Sequence, residues 1–448
     1  MYTWILVVGA LNSFLDACGI GSNDLANSFG TVYGSKVLTV RKIIVLAAIC
    51  EFAGAMLLGS SVTNTLAGSI SNVSYFKAQP YILMYGMLTA LAGSTTWLFT
   101  ASYLGLPVST THSIVGGIMG FSLVYKGVDG IIWSKPTTEF PYVQGFVPIV
   151  VSWITSPLIS GVISAMIYLV LKRFILRSTN SVQRSIYILP PLVFLTFFIE
   201  SVFVLSKGAK SKLDWTFDTV AWVSICIATG ASTLSVIAVP FLKKKVDEYS
   251  LTLPDTKDSE NAMVDISGTP LNHEVYDPRV EFVFQYLQVF TAICTSFAHG
   301  ANDVSNAVGP LAAIYYIHKN GSISSKIDVE EWILALGGAG IIVGLATYGV
   351  NIMKILGEKI TYISASRGFS AELSTALVVS LASRYGLPIS TTQCITGAII
   401  GISLCDRNWK KLEWKLLTKI FFSWIFTILI TMTISAAIFA QGIYSPNI

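Results

Sequence analysis

The chain is predicted to fold as an all-α polytopic membrane protein, an inverted-topology repeat of about 10–12 transmembrane helices including two re-entrant helical hairpins. Three observations predict this. Hydrophobic residues make up 53% of the 448, charged residues only 12%, and the mean hydropathy is +0.66. A soluble domain carries about 25% charged residues. Apolar runs recur along the whole chain, and two polar words inside them each occur twice. GSNDLANSFG (Gly21 to Gly30) returns as GANDVSNAVG (Gly300 to Gly309), and GLPVSTTHSIVGGIMGFSL (Gly105 to Leu123) returns as GLPISTTQCITGAIIGISL (Gly386 to Leu404).

The apolar runs lie at about 3–20, 42–60, 81–104, 112–126, 145–171, 186–206, 218–241, 282–299, 332–350, 371–385, 390–405 and 415–440. A spanning helix needs about 20 residues, so the runs at 112–126, 371–385 and 390–405 suit half-helices or re-entrant hairpins better. The first run lacks a basic flank and leads directly into the first polar word, so a cleavable signal peptide is not expected. The six cysteines lie in or beside apolar runs without a CxxC pair and are expected to be inert buried thiols.

The least hydrophobic segment, about 243–280, begins at Lys243-Lys244-Lys245 and has the composition of a solvated linker. It separates an N-terminal membrane half (1–242) from a C-terminal half (281–448). The lysines place it in the cytoplasm, together with the loop carrying Lys172, Arg173, Arg177 and Arg184, and put 207–218 outside. The net charge of +4 lies in such loops, so it reads as an orientation signal and not as affinity for nucleic acid.

Asp303 follows Asp24 by 279 residues and Ser390 follows Ser109 by 281, so two motifs keep nearly one spacing. That is the mark of a duplicated unit. The loops indicate opposite insertion of the copies. Lys36, Arg41 and Lys42 after the first word are expected inside. The segment His318 to Glu331 after the second is mixed in charge, holds the sequon at Asn320 and is expected outside, as is the sequon at Asn72.

Carboxylates at membrane depth are costly, and two in matching contexts mark a site. Asn23, Asp24, Asn27 and their copies Asn302, Asp303, Asn306 fall at helical spacings that let the oxygens of each set converge. Asp and Asn oxygens suit a hard cation such as Na⁺ or Mg²⁺. The flanking glycines, with Pro310, are expected to loosen the helices and free backbone carbonyls. In the second motif, Pro followed by Ser109, Thr110, Thr111 or by Ser390, Thr391, Thr392 is a helix start, rich in hydroxyls and orphan N–H groups. Two facing starts make a donor-rich site for a tetrahedral oxyanion.

Glu51 lies deep in an apolar run, and its burial favours a functional role. Glu372 lies near a helix start and fits either function or helix-end electrostatics. The constant spacing sets Glu330 opposite Glu51 and Leu91 opposite Glu372, so neither acid is mirrored. His112 is matched by Gln393, which excludes a titrating imidazole in both halves, and His299 is matched by Ile20, which leaves it an accessory role at most.

Taken together, these words resemble the inorganic phosphate transporter (PiT) family, the sodium- or proton-coupled phosphate permeases. GSNDLANSFGTVYGSKVLT, HGANDVSNAVGP, GFSAELSTALVV and the two GLPxSTT hairpins carry the resemblance over about 1–240 and 280–448. It implies an inverted repeat with two re-entrant hairpins, a homodimer in the lipid bilayer of the plasma membrane, and phosphate bound between the halves. It also implies that Asp24 and Asp303 are essential, linked to both the coupling ion and phosphate, with Asn23, Asn27, Asn302 and Asn306 beside them as ligands. Asn302, Ser109 to Thr111 and Ser390 to Thr392 would contact phosphate, and Glu51 and Glu372 match acids needed for transport. The chain departs from the family in Ser22 for the usual Ala, in Gln393 for the His of many members, and in its short linker.

The function expected is secondary active import of inorganic phosphate by cation symport, Na⁺-coupled and by alternating access, with no enzymatic activity and no cofactor. An H⁺-coupled phosphate or sulfate permease on the same scaffold is the alternative. An intramembrane aspartyl protease would require a GxGD context, which these aspartates lack. An anion channel would show rings of Arg or Lys within spans, whereas the basic residues here lie mainly in loops.

Overall fold

Apolar chain in a bilayer satisfies its backbone by folding as helix, and the described residues form thirteen helices. The computed structural model describes residues 2–60, 63, 70–138, 142–213, 215–253, 274–324, 327, 329–355, 357, 363–406 and 412–445, with the backbone alone at 207–213. The first half holds α1 (Thr3–Gly34), α2 (Val40–Leu58), α3 (Pro80–Tyr103), α4 (Thr110–Lys126) and α5 (Phe146–Leu171). A packed pair follows, α6 (Ser181–Leu213) and α7 (Phe217–Thr252). The second half holds α8 (Pro278–Asn320), α9 (Glu331–Thr347), the short α10 (Gly349–Lys354), α11 (Ala365–Arg384), α12 (Thr391–Cys405) and α13 (Trp414–Tyr444).

Seven of these (α1, α3, α5, α6, α7, α8 and α13) are long and apolar enough to cross a membrane. The remaining helices, among them α2, α9, α11 and α12, are shorter. Helix α7 carries the triple lysine and stays helical to Thr252, so the polar segment between the halves is ordered at its start. The rest of that segment, 254–273, lies outside the described residues.

The polar words do not interrupt their helices. α1 runs unbroken through Gly21 and Gly30, and α8 through Gly300, Gly309 and Pro310. The expected loosening at glycine is therefore absent, and close packing explains these residues instead. A Cβ on Gly21 would lie 2.0 Å from the carbonyl oxygen of Ile341 in α9, and one on Gly300 2.2 Å from that of Glu51 in α2. Only Pro310 acts as expected: with no N–H to donate, it leaves the carbonyl of Asn306 without its helical partner.

These two contacts reveal an exchange. The core helix of each half packs against the second helix of the other, α1 on α9 and α8 on α2. They also correct the sequence register, because the residue opposite Glu51 is Ile341 and not Glu330. α8 runs on to Asn320, past 313, the position matching the end of α1, and the connection before α9 (321–330) is longer than that before α2 (35–39), which together shift the count. The helices after the hairpins exchange as well, with α5 packed on α12 and α13 on α4.

Each GLP turn is built alike. Gly105 and Gly386 both adopt φ of +65°, a left-handed conformation that glycine takes without strain. Pro then leads into a capped start, where Ser109 Oγ accepts the His112 N–H and Ser390 Oγ that of Gln393, each at 3.3 Å. Helices of 17 and 15 residues follow, about 25 and 22 Å long, short of a bilayer core of about 30 Å.

At the far end of α12, Asp406 accepts from Lys172 at 2.7 Å, Arg367 at 2.6 Å and Tyr168 at 3.0 Å. Lys172 also pairs with Glu274 at 3.2 Å, and Arg177 pairs with the same carboxylate. A cavity of about 520 Å³ opens beside this cluster. Partial burial opposes ionisation of Glu274, but the hydrogen bonds from Arg177, Tyr276 and Lys172 prevail and hold its pKa down at about 2.

Substituting Gly21→Val or Gly300→Val should prevent recovery of monodisperse protein on gel filtration, since a clash with rigid backbone exceeds the ~1–3 kcal/mol of ordinary overpacking. Gly230→Val in α7, whose Cβ would meet nothing within 4 Å, should elute like the parent.

Candidate functional site

The middles of α1 and α8 and the starts of α4 and α12 meet in one buried polar cluster. Asp24 and Asp303 are both fully buried, so their carboxylates depend on donors from the protein. Asp24 Oδ2 accepts from Thr110 at 3.0 Å, while its Oδ1 accepts from Asn27 at 2.8 Å and Thr392 at 3.1 Å. Asp303 Oδ2 accepts from Thr391 at 2.9 Å, while its Oδ1 accepts from Asn306 at 3.0 Å and Asn302 at 3.1 Å.

The asparagines cross between halves. Asn27 in α1 donates to Thr391 at 3.1 Å and Thr392 at 2.9 Å, at the start of α12. Asn306 in α8 donates to Thr110 at 3.2 Å and Thr111 at 3.3 Å, at the start of α4. The hairpins also hold each other: Thr111 Oγ1 donates to the Ile389 carbonyl at 3.1 Å, and the single proton of Thr392 Oγ1 is shared between Asp24 and the Val108 carbonyl at 3.2 Å. One set of contacts thus occurs twice with the halves exchanged.

Of the predicted residues, the structure brings Asp24, Asn27, Thr110, Thr111, Asp303, Asn306, Thr391 and Thr392 into this cluster. Asn23 stands beside it and fastens its own hairpin. Its Nδ2 donates to the Leu106 carbonyl at 2.9 Å and its Oδ1 accepts the Val108 N–H at 2.9 Å. Asn302 does both, donating to Asp303 and, at 3.2 Å, to the Ile389 carbonyl. Ser109 and Ser390 are occupied as helix caps. Glu372 stands apart, its carboxylate held by Thr31 and, at 2.6 Å, by Thr291.

Histidine 299 carries more than the accessory role expected of it. Its Nδ1 lies 2.6 Å from Glu51 Oε2. Its Nε2 lies 2.9 Å from Asp303 Oδ2 and 3.7 Å from Asp24 Oδ2, without the alignment of a hydrogen bond to either. The signal was in the chain, because His299 precedes Asp303 by four residues and so shares its helix face. Glu51 reaches the cluster only through this ring. Across the exchange, the counterparts of His299 and Glu51 are Ile20 and Ile341, both buried, so one half is polar where the other is apolar. His112 lies elsewhere, with its ring against Trp153.

The chemistry follows from the charges. Three acids, Asp24, Asp303 and Glu51, surround one imidazole, so with all three ionised the cluster would carry excess negative charge even with the imidazole protonated. Asn27 Oδ1 is buried and has no hydrogen-bond partner, which leaves an oxygen for a cation. Asp24, His299 and Asp303 offer ligand atoms within 4.8 Å of one another. Beside these lie two helix starts, whose first-turn N–H groups lack intrahelical partners and favour an anion. Cation ligands and anion donors are therefore in contact.

Known proteins share this architecture. Residues 20–435 match the phosphate transporter family. The chain is 28% identical to the phosphate-repressible phosphate permease pho-4 of Neurospora crassa, over 100% of this chain and 98% of that one. It is 36% identical to the chloroplastic inorganic phosphate transporter 2-1 of Arabidopsis thaliana, over 95% of this chain and 70% of that one. A solved structure, titled the sodium-dependent phosphate transporter, superposes with a TM-score of 0.83 at 33% identity, covering 97% of this chain and 98% of the other. These relatives are transporters and not enzymes. With its apolar helices and a match across most of its length, this multi-pass membrane protein belongs to the phosphate transporter family.

Proposed function

We propose that the chain imports inorganic phosphate by Na⁺ symport, through alternating access of a single composite site. The observation that carries this reading is the convergence of hairpin-start threonines on the two aspartates, Thr110 and Thr392 on Asp24 and Thr391 on Asp303. Na⁺ held by Asp24, Asn27, Asp303 and Asn306, with Asn23 and Asn302 behind them, would offset the buried negative charge. The hydroxyls of Thr110, Thr111, Thr391 and Thr392, the Asn302 amide and the first-turn N–H groups would then be free to bind phosphate, with Ser109 and Ser390 fixing those turns. Since each threonine cluster touches the other half's asparagine, binding in one half is felt in the other.

The exchanged contacts support an inverted repeat with α3–α4 and α11–α12 as re-entrant hairpins; two membrane halves joined by a cytoplasmic linker, a homodimer and a plasma-membrane location belong to the same proposal. Glu51 and Glu372 would act as transport-essential acids, Glu51 through His299. That contact also favours a second reading, H⁺ coupling, because Glu51, His299 and Asp303 form a chain along which a proton can be held.

Radiolabelled phosphate uptake into proteoliposomes separates these readings. Na⁺ coupling predicts uptake under an imposed Na⁺ gradient and none under a pH gradient alone. H⁺ coupling predicts the opposite, and sulfate uptake without phosphate uptake would sink both.

Replacement of either carboxylate, Asp24→Asn or Asp303→Asn, should lower uptake at least about 100-fold, the scale of ~3 kcal/mol for breaking a buried charged cluster. The protein should remain monodisperse, and normal transport would show the carboxylate to be structural. Thr110→Val and Thr391→Val should each raise the half-saturating phosphate concentration about tenfold, since a hydrogen bond to a charged group is worth ~1.5 kcal/mol or more.

A further inference from the structure

A second acid lies in the first half, away from the polar words. Asp16 on α1 is fully buried, two helical turns before Asp24 and about 12 Å from it along the axis. Thr95 Oγ1 on α3 lies 2.8 Å from Asn12 Oδ1, 3.3 Å from Asp16 Oδ1 and 3.4 Å from the Asn12 carbonyl. A hydroxyl has one proton, so at most one of these three acceptors is satisfied by it. Asp16 Oδ2 and the neighbouring Ser94 Oγ are buried without any hydrogen-bond partner. Among the described residues, no Lys, Arg or His forms an ion pair with Asp16.

Glu372 shows what a satisfied acid looks like in the same fold. By the repeat spacing, Asn12 and Asp16 on α1 correspond to Thr291 and Thr295 on α8, and Leu91 on α3 corresponds to Glu372 on α11. Acid and hydroxyl have changed helices between the halves. In the second half, Thr291 and Thr31 each donate a proton to Glu372. In the first half the acid keeps one shared donor, Thr95, within reach of Oδ1, and its Oδ2 has no partner.

We propose that Asp16, Asn12, Ser94 and Thr95 form a second site for a dehydrated monovalent cation of the Na⁺ class, on the α1 side leading to the central cluster. One carboxylate among neutral amide and hydroxyl oxygens balances one positive charge, and the absence of nitrogen or sulfur ligands in this set suits a hard ion. Asn12 is half-buried, which leaves an approach from the start of α1. The role of this ion as a coupling ion rests on the symport reading, but its binding does not.

Equilibrium binding of ²²Na⁺ to the purified, phosphate-free full chain tests the site. Asp16→Asn should bind one Na⁺ fewer per chain than the parent, and Thr95→Val should weaken one class of sites about tenfold, the scale of one lost oxygen ligand. Equal Na⁺ stoichiometry and affinity in both variants overturns the proposal, whether or not a proton is released on titration. If Asp16→Asn does not yield folded protein, the Thr95→Val affinity decides alone. Asp24→Asn distinguishes this site from the central one. Loss of Na⁺ in Asp24→Asn but not in Asp16→Asn removes the second site, and the reverse removes the central Na⁺ reading while leaving this one.

Discussion

A carboxylate inside a helical membrane protein needs donors or a counter-ion, and the rest of this structure is arranged around meeting that need twice. Asp24 and Asp303 draw their hydroxyl donors from Thr110, Thr391 and Thr392, at the starts of α4 and α12. Each of those starts follows a glycine turn and is fixed by a serine cap. The asparagines then tie each start to the opposite half. None of the four pieces is satisfied without the other three, so the site behaves as one cooperative polar unit in an apolar bundle.

Exchange between the halves makes that unit possible. With α1 on α9 and α8 on α2, neither half can bury its core helix alone. The close contacts at Gly21 and Gly300 set the depth at which the two polar words face each other. A rigid crossing of this kind fits a transporter in which binding at the centre must be felt by both halves.

Within this near-symmetry the charges are deliberately unequal. One half places His299 and Glu51 where the other has Ile20 and Ile341, and acid and hydroxyl trade helices between Asp16 and Glu372. The asparagine–threonine contacts recur on both sides, although Thr392 also reaches Asp24 and no such contact joins Thr111 to Asp303 among the described residues. The acids differ from side to side, which suits cations bound off the axis between the halves.

Much of this was legible in the chain. Composition and apolar runs determined a helical membrane protein, and the duplicated words determined that two copies of one unit share a site. The spacing of Asn and Asp on one helix face, and the Pro-Ser-Thr-Thr helix starts, identified the residues that meet, because those rules are local and depend on helix geometry alone. Tertiary structure decided the rest. Whether Gly21 loosened a helix or admitted a neighbour depended on Ile341, more than three hundred residues away. That Glu51 faces His299, and that its mirror is Ile341 and not Glu330, depended on a longer α8 and a longer connection before α9. Spacing along a chain fixes which residues share a face, but only packing between faces decides what each buried charge meets.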